Sequence, residues 1–457
     1  MFDQMKVLRA LQKGSALYAD IFDEETAYTL IQLESEKIEK LEKGLDKGVG
    51  LRVIKPWQTF FASTNSKEEA HLVDLARDLA TTLEPAERQV EAGPLSLAQY
   101  PFSIEKAPRD VDTERKLALV RFVESAARRM EKRIRQVKVV YRDTDQRLLI
   151  ATSDGTNVED RRIQLVLTLL VVGEEAGELQ TAYEAIGGFC GFEFLSDERV
   201  ERFVRATVGR LSGLLGAVEA PRGTRTVVLA SEAGGTMIHE AIGHGLEADL
   251  AMEGLSCYKG MIDKRIAGPL INVVDDKTLP FKRGTYAFDD EGTPSERTVL
   301  VENGVLKNYL FDRFHAMKYH VPSTANGRRE SFRHKPIPRM SNTMILPGPD
   351  DPAAIISSVD DGLLVKKMGG GQVDTVRGDF VFEIQEGYVI EKGAVGPMVR
   401  NATMMGNGPK VLMDIDMVGI DLGFGIGTCG KDGQGVPVAD AQPTIRIPEI
   451  VVGGRGQ

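Results

Sequence analysis

The chain has 457 residues, 42% of them hydrophobic and 27% charged, with 57 Lys and Arg against 67 Asp and Glu for a formal net charge of −10. Such a composition excludes a collagenous, mucin-like or wholly disordered chain, and the length allows two or three domains with sizeable cores. The acidic balance, with no domain-wide basic bias, argues against non-specific binding to nucleic acid or anionic lipid.

The first residues, Met1-Phe-Asp-Gln-Met-Lys-Val-Leu8, lack a basic segment followed by an apolar one and do not read as a signal peptide. Extended segments are expected near Val49–Ile54 and Phe60–Thr64. Ser66-Lys-Glu-Glu69 then spells a capping box, with Leu72, Leu75, Ala76 and Leu79 at helical spacing behind it. A second helix is read from Val120, Val123, Ala127, Met130 and Ile134, an apolar stripe that is core rather than a cofactor site. Strands follow at Val137–Tyr141, Arg147–Thr152 and Ile163–Val172, separated by the turn-rich Asp143-Thr-Asp-Gln146 and Ser153-Asp-Gly155. The most apolar run, Leu165 to Val172, is far short of the roughly 20 residues of a spanning helix, so no membrane segment is expected. A third helix is expected over about Asp197 to Leu215.

Glu219-Ala-Pro-Arg-Gly223 carries Pro and Gly without periodicity and marks a boundary near residue 218. Beyond it come short β-rich runs: Thr226–Ala230, Thr298–Val301, Leu306–Leu310, Phe380–Ile384 and Tyr388–Glu391. They are punctuated by turns such as Glu302-Asn-Gly304 and Glu391-Lys-Gly393. The expectation is an α+β protein: an N-terminal α/β domain of mixed helices and antiparallel strands over 1–217, then a β-rich domain over 218–457. The three cysteines, Cys190, Cys257 and Cys429, lie far apart and permit at most one disulfide, which suits a reducing, cytoplasmic setting.

One segment interrupts the β texture. Thr226–Leu250 reads as strand, glycine turn and helix, with Thr236 as N-cap and Ile238, Ile242, Leu246 and Leu250 on the face to be buried. It carries His239, Glu240 and His244. In the His-Glu-x-x-His zinc-protease spelling, i,i+4 spacing puts both imidazoles on one face. Here the spacing is i,i+5, which separates the side chains by about 140° on a regular helix. A one-residue π-bulge would absorb the extra position, most cheaply at Gly243, with Gly245 following the second histidine. Glu240 stands where it could polarise a metal-bound water.

The segment His239-Glu-Ala-Ile-Gly-His244-Gly-Leu-Glu247 resembles the His-Glu-x-x-x-His signature of the TldD/PmbA family of metallopeptidases, also called modulators of DNA gyrase. Further similarity runs through Gly48-Val-Gly-Leu-Arg-Val53, Val274-Asp-Asp, Phe288-Asp-Asp-Glu-Gly-Thr-Pro294, Asn326-Gly-Arg-Arg329, Arg339-Met-Ser-Asn-Thr343, Gly369-Gly-Gly-Gln-Val-Asp374, Gly406-Asn-Gly-Pro409 and Gly427-Thr-Cys429-Gly-Lys-Asp-Gly-Gln434. TldD-like members carry the metal signature and PmbA-like (TldE-like) partners lack it, so this chain resembles the catalytic type. The resemblance implies Zn2+ held by His239, His244 and Cys429, with Glu240 as general base. It also implies unfolded or short peptides as substrates, in maturation or degradation, and a homodimer or a heterodimer with a metal-free PmbA/TldE-like paralogue. Such a dimer is expected to present the metal in an enclosed groove.

Two alternatives stay open for the third ligand, Cys257 and Glu247, although Cys257 suits a small buried hydrophobe and Glu247 could instead hold an imidazole from behind. His315, His320 and His334 lie in polar stretches and are expected at the surface or in a groove. The run Arg328-Arg-Glu-Ser-Phe-Arg-His-Lys335 reads either as a solvated loop or as cations meeting a peptide near the metal. Gly369-Gly-Gly371 lacks the Lys-Ser/Thr of a phosphate loop and reads as a turn or close-approach site. The competing reading from another class is a non-catalytic peptide-binding or gyrase-modulating subunit whose metal is structural.

Overall fold

Period-two alternation of buried and open side chains shapes the first half of the chain. The computed structural model describes residues 2–12, 16–56, 58–81, 90 and 93–454. Strands β1 (Tyr18–Glu34), β2 (Lys37–Lys55), β3 (Gln58–Thr64), β4 (Ser96–Leu97), β5 (Ile134–Thr152), β6 (Asn157–Glu175) and β7 (Glu178–Gly188) form one sheet. Its order is β3-β2-β1-β5-β6, with β4 and β7 both on β6, and only the β4–β6 pairing is parallel. Along β5 the buried Val137, Val139 and Tyr141 face a core built with α3 (Thr113–Met130) and α4 (Asp197–Leu215). Helices α1 (Gln4–Leu11) and α2 (Glu69–Ala80) cover Ile21, Val49, Leu51 and Val53 at the sheet's other end.

The α+β class and the third helix match the sequence expectation, and three local details differ. Helix α2 starts from Glu68, and Ser66 lies outside it, its Oγ accepting from the Glu68 amide at 3.3 Å. Ile134 opens β5 rather than ending α3. Asp143–Gln146 is no turn. The strand runs through it because both aspartates find cations, Asp143 at Lys116 (2.6 Å) and Asp145 at Arg161 (2.6 Å), so pairing outweighs local turn propensity.

The second half forms two larger sheets. One runs in the order Val305–Leu306, Arg297–Glu302, Val273–Asp276, Asn342–Ile345, Gln434–Gln442, Gly423–Lys431, antiparallel except where Asn342–Ile345 meets Gln434–Gln442. The other closes on itself: Asp361–Asp374, Gly223–Leu229, Ile445–Gly453, Ala402–Asn407 and Asp379–Glu391 make a ring, because the first of these strands also pairs with the last. Phe380–Ile384 and Tyr388–Glu391, expected as two strands, belong to one strand, and of the expected Leu306–Leu310 run only Leu306 lies in a strand, Val305–Leu306. Closure pairs these strands around an apolar core and leaves part of Asp361–Asp374, beyond Val365, uncovered by Gly223–Leu229. No helix among the described residues is long and apolar enough to cross a membrane.

Buried charges, beside a small apolar cluster of Phe22, Leu148, Ile150, Val158 and Phe332, stitch the first sheet to the 288–333 region. Arg52 donates to Asp20 at 2.6 Å and meets Glu291 at 2.7 Å, Arg162 bridges Asp160 (2.9 Å) and Asp290 (2.7 Å), and Arg329 reaches Asp20 and the Asp290 carbonyl. All seven residues are buried. Removing one member strands its partners, so Arg52→Met should cost about 3–5 kcal/mol in denaturant unfolding. A loss below ~1 kcal/mol, the range of exposed pairs, would show that water reaches this seam.

Candidate metal centre

The helix that carries both signature histidines is irregular from its first residue. It leaves strand Gly223–Leu229 through Gly234, at φ +70°, and Gly235, where a Cβ would come within 2.3 Å of the Ala441 amide nitrogen. Only glycine admits that approach, and Gly235 rather than Thr236 is the N-cap. Thr236–Ile238 is α-helical, His239–Gly243 is π-helical and His244–Leu246 is a 3-10 turn. The His244 amide donates to the His239 carbonyl, an i→i−5 bond that widens the turn and brings the i,i+5 pair to one side. The two rings stand edge to face, with centroids 5.1 Å apart. Met237, Ile238, Ala241, Ile242 and Leu246 fill the core together with residues of the closed sheet.

Gly243 is also the point of closest packing. A Cβ there would lie 2.0 Å from the Met340 sulfur. Gly243→Ala should therefore destabilise the protein by about 1–3 kcal/mol, the usual range for overpacking. Thermal unfolding of Gly243→Ala with and without Met340→Ala checks this. If the double variant melts no higher than the sum of the single effects predicts, the strain lies elsewhere.

Cys429, on strand Gly423–Lys431, closes the group. Its sulfur lies 3.3 Å from His239 Nε2 and 3.4 Å from His244 Nε2, and the three ligand atoms all fall within 4.8 Å of one another. Burial pushes the Cys429 thiol up, but hydrogen bonds from both imidazoles outweigh it and bring it down to about 5. Burial lowers His239, and its contact with Cys429 and the nearby Asp440 carboxylate more than reverse that, to about 9. His244 is raised well above the ordinary imidazole range against its burial, by Glu247 and Cys429. Without metal, the sulfur is thus a thiolate held between two imidazolium rings, a cluster whose protons a cation would displace. Two imidazoles and one thiolate suit zinc and leave a fourth tetrahedral position open.

Behind the ligands lies a charged brace. His244 Nδ1 meets Glu247 Oε2 at 2.9 Å, and Lys431 Nζ donates to Glu247 (3.0 Å), Asp249 (2.6 Å) and the Pro338 carbonyl (3.0 Å). Glu247 is fully buried, which raises its carboxyl, yet Lys431 and His244 hold it down to about 2. Its position therefore orients His244 so that Nε2 faces the sulfur. Arg339 donates to the Cys429 carbonyl and fixes the strand from the other side.

Glu240 follows His239 and points to a cleft of about 610 Å³, shared with His244, Asp249, Leu250, Val373 and Lys431. Among the described residues no hydrogen-bond partner meets its carboxylate. Cys257 stands outside the group, half-buried against the core. His315, expected at the surface or in a groove, is buried, and its Nδ1 lies 2.6 Å from Asp312. The basic run divides, Arg328 and Arg329 being buried while Arg333 and Lys335 stay exposed. Arg328 donates to the carbonyls of Met340 and Pro437, Arg329 joins the buried seam, Phe332 is buried and Arg333 pairs with Asp46. Sequence reasoning singled out neither Lys431 nor Asp440 as a site residue. The signal for Asp440 was a lone charge in the otherwise apolar run Val436-Pro-Val-Ala-Asp-Ala441.

Family profiles match three stretches: PmbA/TldA metallopeptidase domain 1 over residues 19–82, the central domain over 106–215 and the C-terminal domain over 222–454. The chain is 35% identical over 447 residues to the metalloprotease TldD homolog of Haemophilus influenzae, covering 96% of this chain and 93% of that protein. It is 27% identical over 455 residues to the zinc metalloprotease TldD homolog of Saccharolobus solfataricus, covering 98% and 99%. Among solved structures, a putative modulator of a DNA gyrase from Thermotoga maritima superposes with a TM-score of 0.79 at 20% identity, covering 95% of this chain and 96% of that one. TldE from Thermococcus kodakarensis gives 0.75 at 18%, covering 98% and 99%. At such identities the two structures establish a shared fold.

Proposed function

Because this chain belongs to the PmbA/TldD metallopeptidase family, on its TldD-like side, we propose that it is a zinc-dependent peptidase acting on unfolded or short peptides. The observation that carries this reading is the convergence of two imidazoles and a thiolate beside a cleft into which an unbonded carboxylate opens. His239, His244 and Cys429 would hold the metal, and the zinc metalloprotease name of the Saccharolobus solfataricus relative favours zinc. When bound, zinc supplies Lewis acidity toward a water and a scissile carbonyl.

Glu240 is the general base in this scheme. It takes a proton from the attacking water and returns it to the leaving amine, a task that suits a carboxylate with no competing partner. Glu247 and Lys431 hold the His244 ring in place. A thiolate among the ligands tempers electrophilicity, which suits peptide maturation better than bulk digestion. Strand Asp361–Asp374 supports an extended substrate. Its neighbour Gly223–Leu229 covers it only through Val365, and the stretch beyond borders the Glu240 cleft at Gln372 and Val373. Main-chain pairing there would hold a peptide without selecting its side chains. The same reading includes two domains meeting near residue 218 and a cytoplasmic dimer, either of this chain or with a metal-free PmbA/TldE-like paralogue.

The test is metal removal. Chelation should abolish cleavage of an unstructured peptide and stoichiometric zinc should restore it. Cleavage that survives complete metal removal would contradict the scheme. No cleavage by zinc-loaded protein, alone or with a co-purifying paralogue, would favour a peptide-binding or gyrase-modulating subunit.

A further inference from the structure

A second cavity, of about 510 Å³, opens one helical turn before His239, at Thr236. Its apolar walls include Tyr183, Phe281, Met368 and Phe424. Most charges on its lining are already matched. Glu184 takes Lys367 at 2.6 Å and Arg210 at 3.0 Å, Arg283 donates to the Gly427 carbonyl at 3.0 Å, and Lys282 lies 3.5 Å from the centre of the Phe424 ring.

Two acceptors on that lining are left over. Asp440 is only 8% exposed; His239 and Lys367 act on its carboxylate through space, but among the described residues nothing reaches it with a hydrogen bond or a close ion pair. Gln385 Oε1, on the same lining, is buried without a partner. Burying a carboxylate without a hydrogen-bond donor is costly, and such a group is worth keeping where a ligand brings the missing donor. Acceptors without donors, set among aromatic and aliphatic walls, match a cation that carries hydrogens and an apolar flank.

We propose that this cavity is a subsite for a protonated amine of the peptide substrate, with Asp440 as its counter-ion and the Gln385 carbonyl as a second acceptor. The proposal rests on the peptidase reading and adds a substrate class to it. Asp440 pairs in register with Gly425, four residues before Cys429 on the same strand. The amine would therefore sit within about 13 Å of the metal ligands along that strand, the reach of roughly four extended residues. Either the N-terminal ammonium of a peptide or a lysine side chain supplies this chemistry.

Binding, read without cleavage, separates this proposal from the peptidase reading. Zinc-loaded Glu240→Gln protein would be titrated calorimetrically with three versions of one short peptide: free amine without lysine, N-acetylated with one lysine, and N-acetylated without lysine. The free-amine or the lysine peptide should bind about tenfold or more tightly than the doubly blocked one, the size of a charge-assisted hydrogen bond. Which of the two does so names the source of the amine. Adding Asp440→Asn should erase the preference at unchanged zinc content, and Gln385→Leu, a second route should Asp440→Asn misfold, should weaken it. Equal affinity for all three peptides, no binding of any, or a preference that survives Asp440→Asn would overturn the proposal.

Discussion

Glu240→Gln should keep the fold and the zinc while lowering kcat for peptide hydrolysis by at least ~10²-fold, the low end of a general base's contribution. The reasons are geometric. Glu240 lines the cleft with His244 but is no member of the ligand group, and no partner among the described residues engages its carboxylate. Glutamine preserves size and hydrogen bonding and removes only the ability to take a proton. KM should change little, since the carboxylate acts on the water rather than on the resting peptide. Zinc content measured on the same sample separates this from metal loss. Unchanged kcat at full zinc would move the base elsewhere in the cleft, with Asp249 next to be tested.

Cys429→Ala should abolish stoichiometric zinc binding. Wild-type protein is expected to hold about one zinc per chain, and the variant to lose more than ~100-fold in affinity, beyond the 10–100-fold typical of losing an outer hydrogen-bond partner. Glu247→Gln supplies that milder comparison, because Glu247 touches His244 rather than the ligand cluster's centre. Removing Cys429 also removes the anion that both imidazoles face, so what remains is two rings with no fixed negative charge between them. Elemental analysis and competition with a chromophoric chelator give both numbers. Full zinc in Cys429→Ala, with loss in Cys257→Ala, would assign the wrong cysteine.

The histidine pair was legible because its signals are local, whereas Cys429, 185 residues from His244, entered only through the family resemblance. Two histidines, a misfit spacing and glycines to absorb it all sit within one short segment, and the π turn at His239–Gly243 is the physical answer to that misfit. Helix α4 was legible for a similar reason, since its capping serine and apolar stripe depend on nothing distant. What stayed hidden depends on partners far along the chain. Asp143 and Asp145 look like turn residues until Lys116 and Arg161 are brought beside them. Arg329 looks like a solvated cation until Asp20, 309 residues away, is seen to receive it. Local propensity carries no information about such encounters, so the basic run and the Lys431 end of the brace emerge only once the chain is folded, whereas Glu247, three residues from His244, was legible beforehand.

The ionic seam between the first sheet and the 288–333 region also bears on how the chain is made. Arg52 is synthesised long before Glu291, with which it will pair. The sheet is complete only once β7 has been made, and at ~5–20 residues per second the roughly 100 residues from there to Glu291 take about 5 to 20 s, during which that face stands uncovered on the ribosome. An apolar face left open so long would recruit other nascent chains. Here arginines and aspartates surround the small apolar patch of Phe22, Leu148, Ile150 and Val158, so most of that face keeps its water until the matching charges and Phe332 arrive. The seam thus trades some final stability for a waiting state that bares little apolar surface.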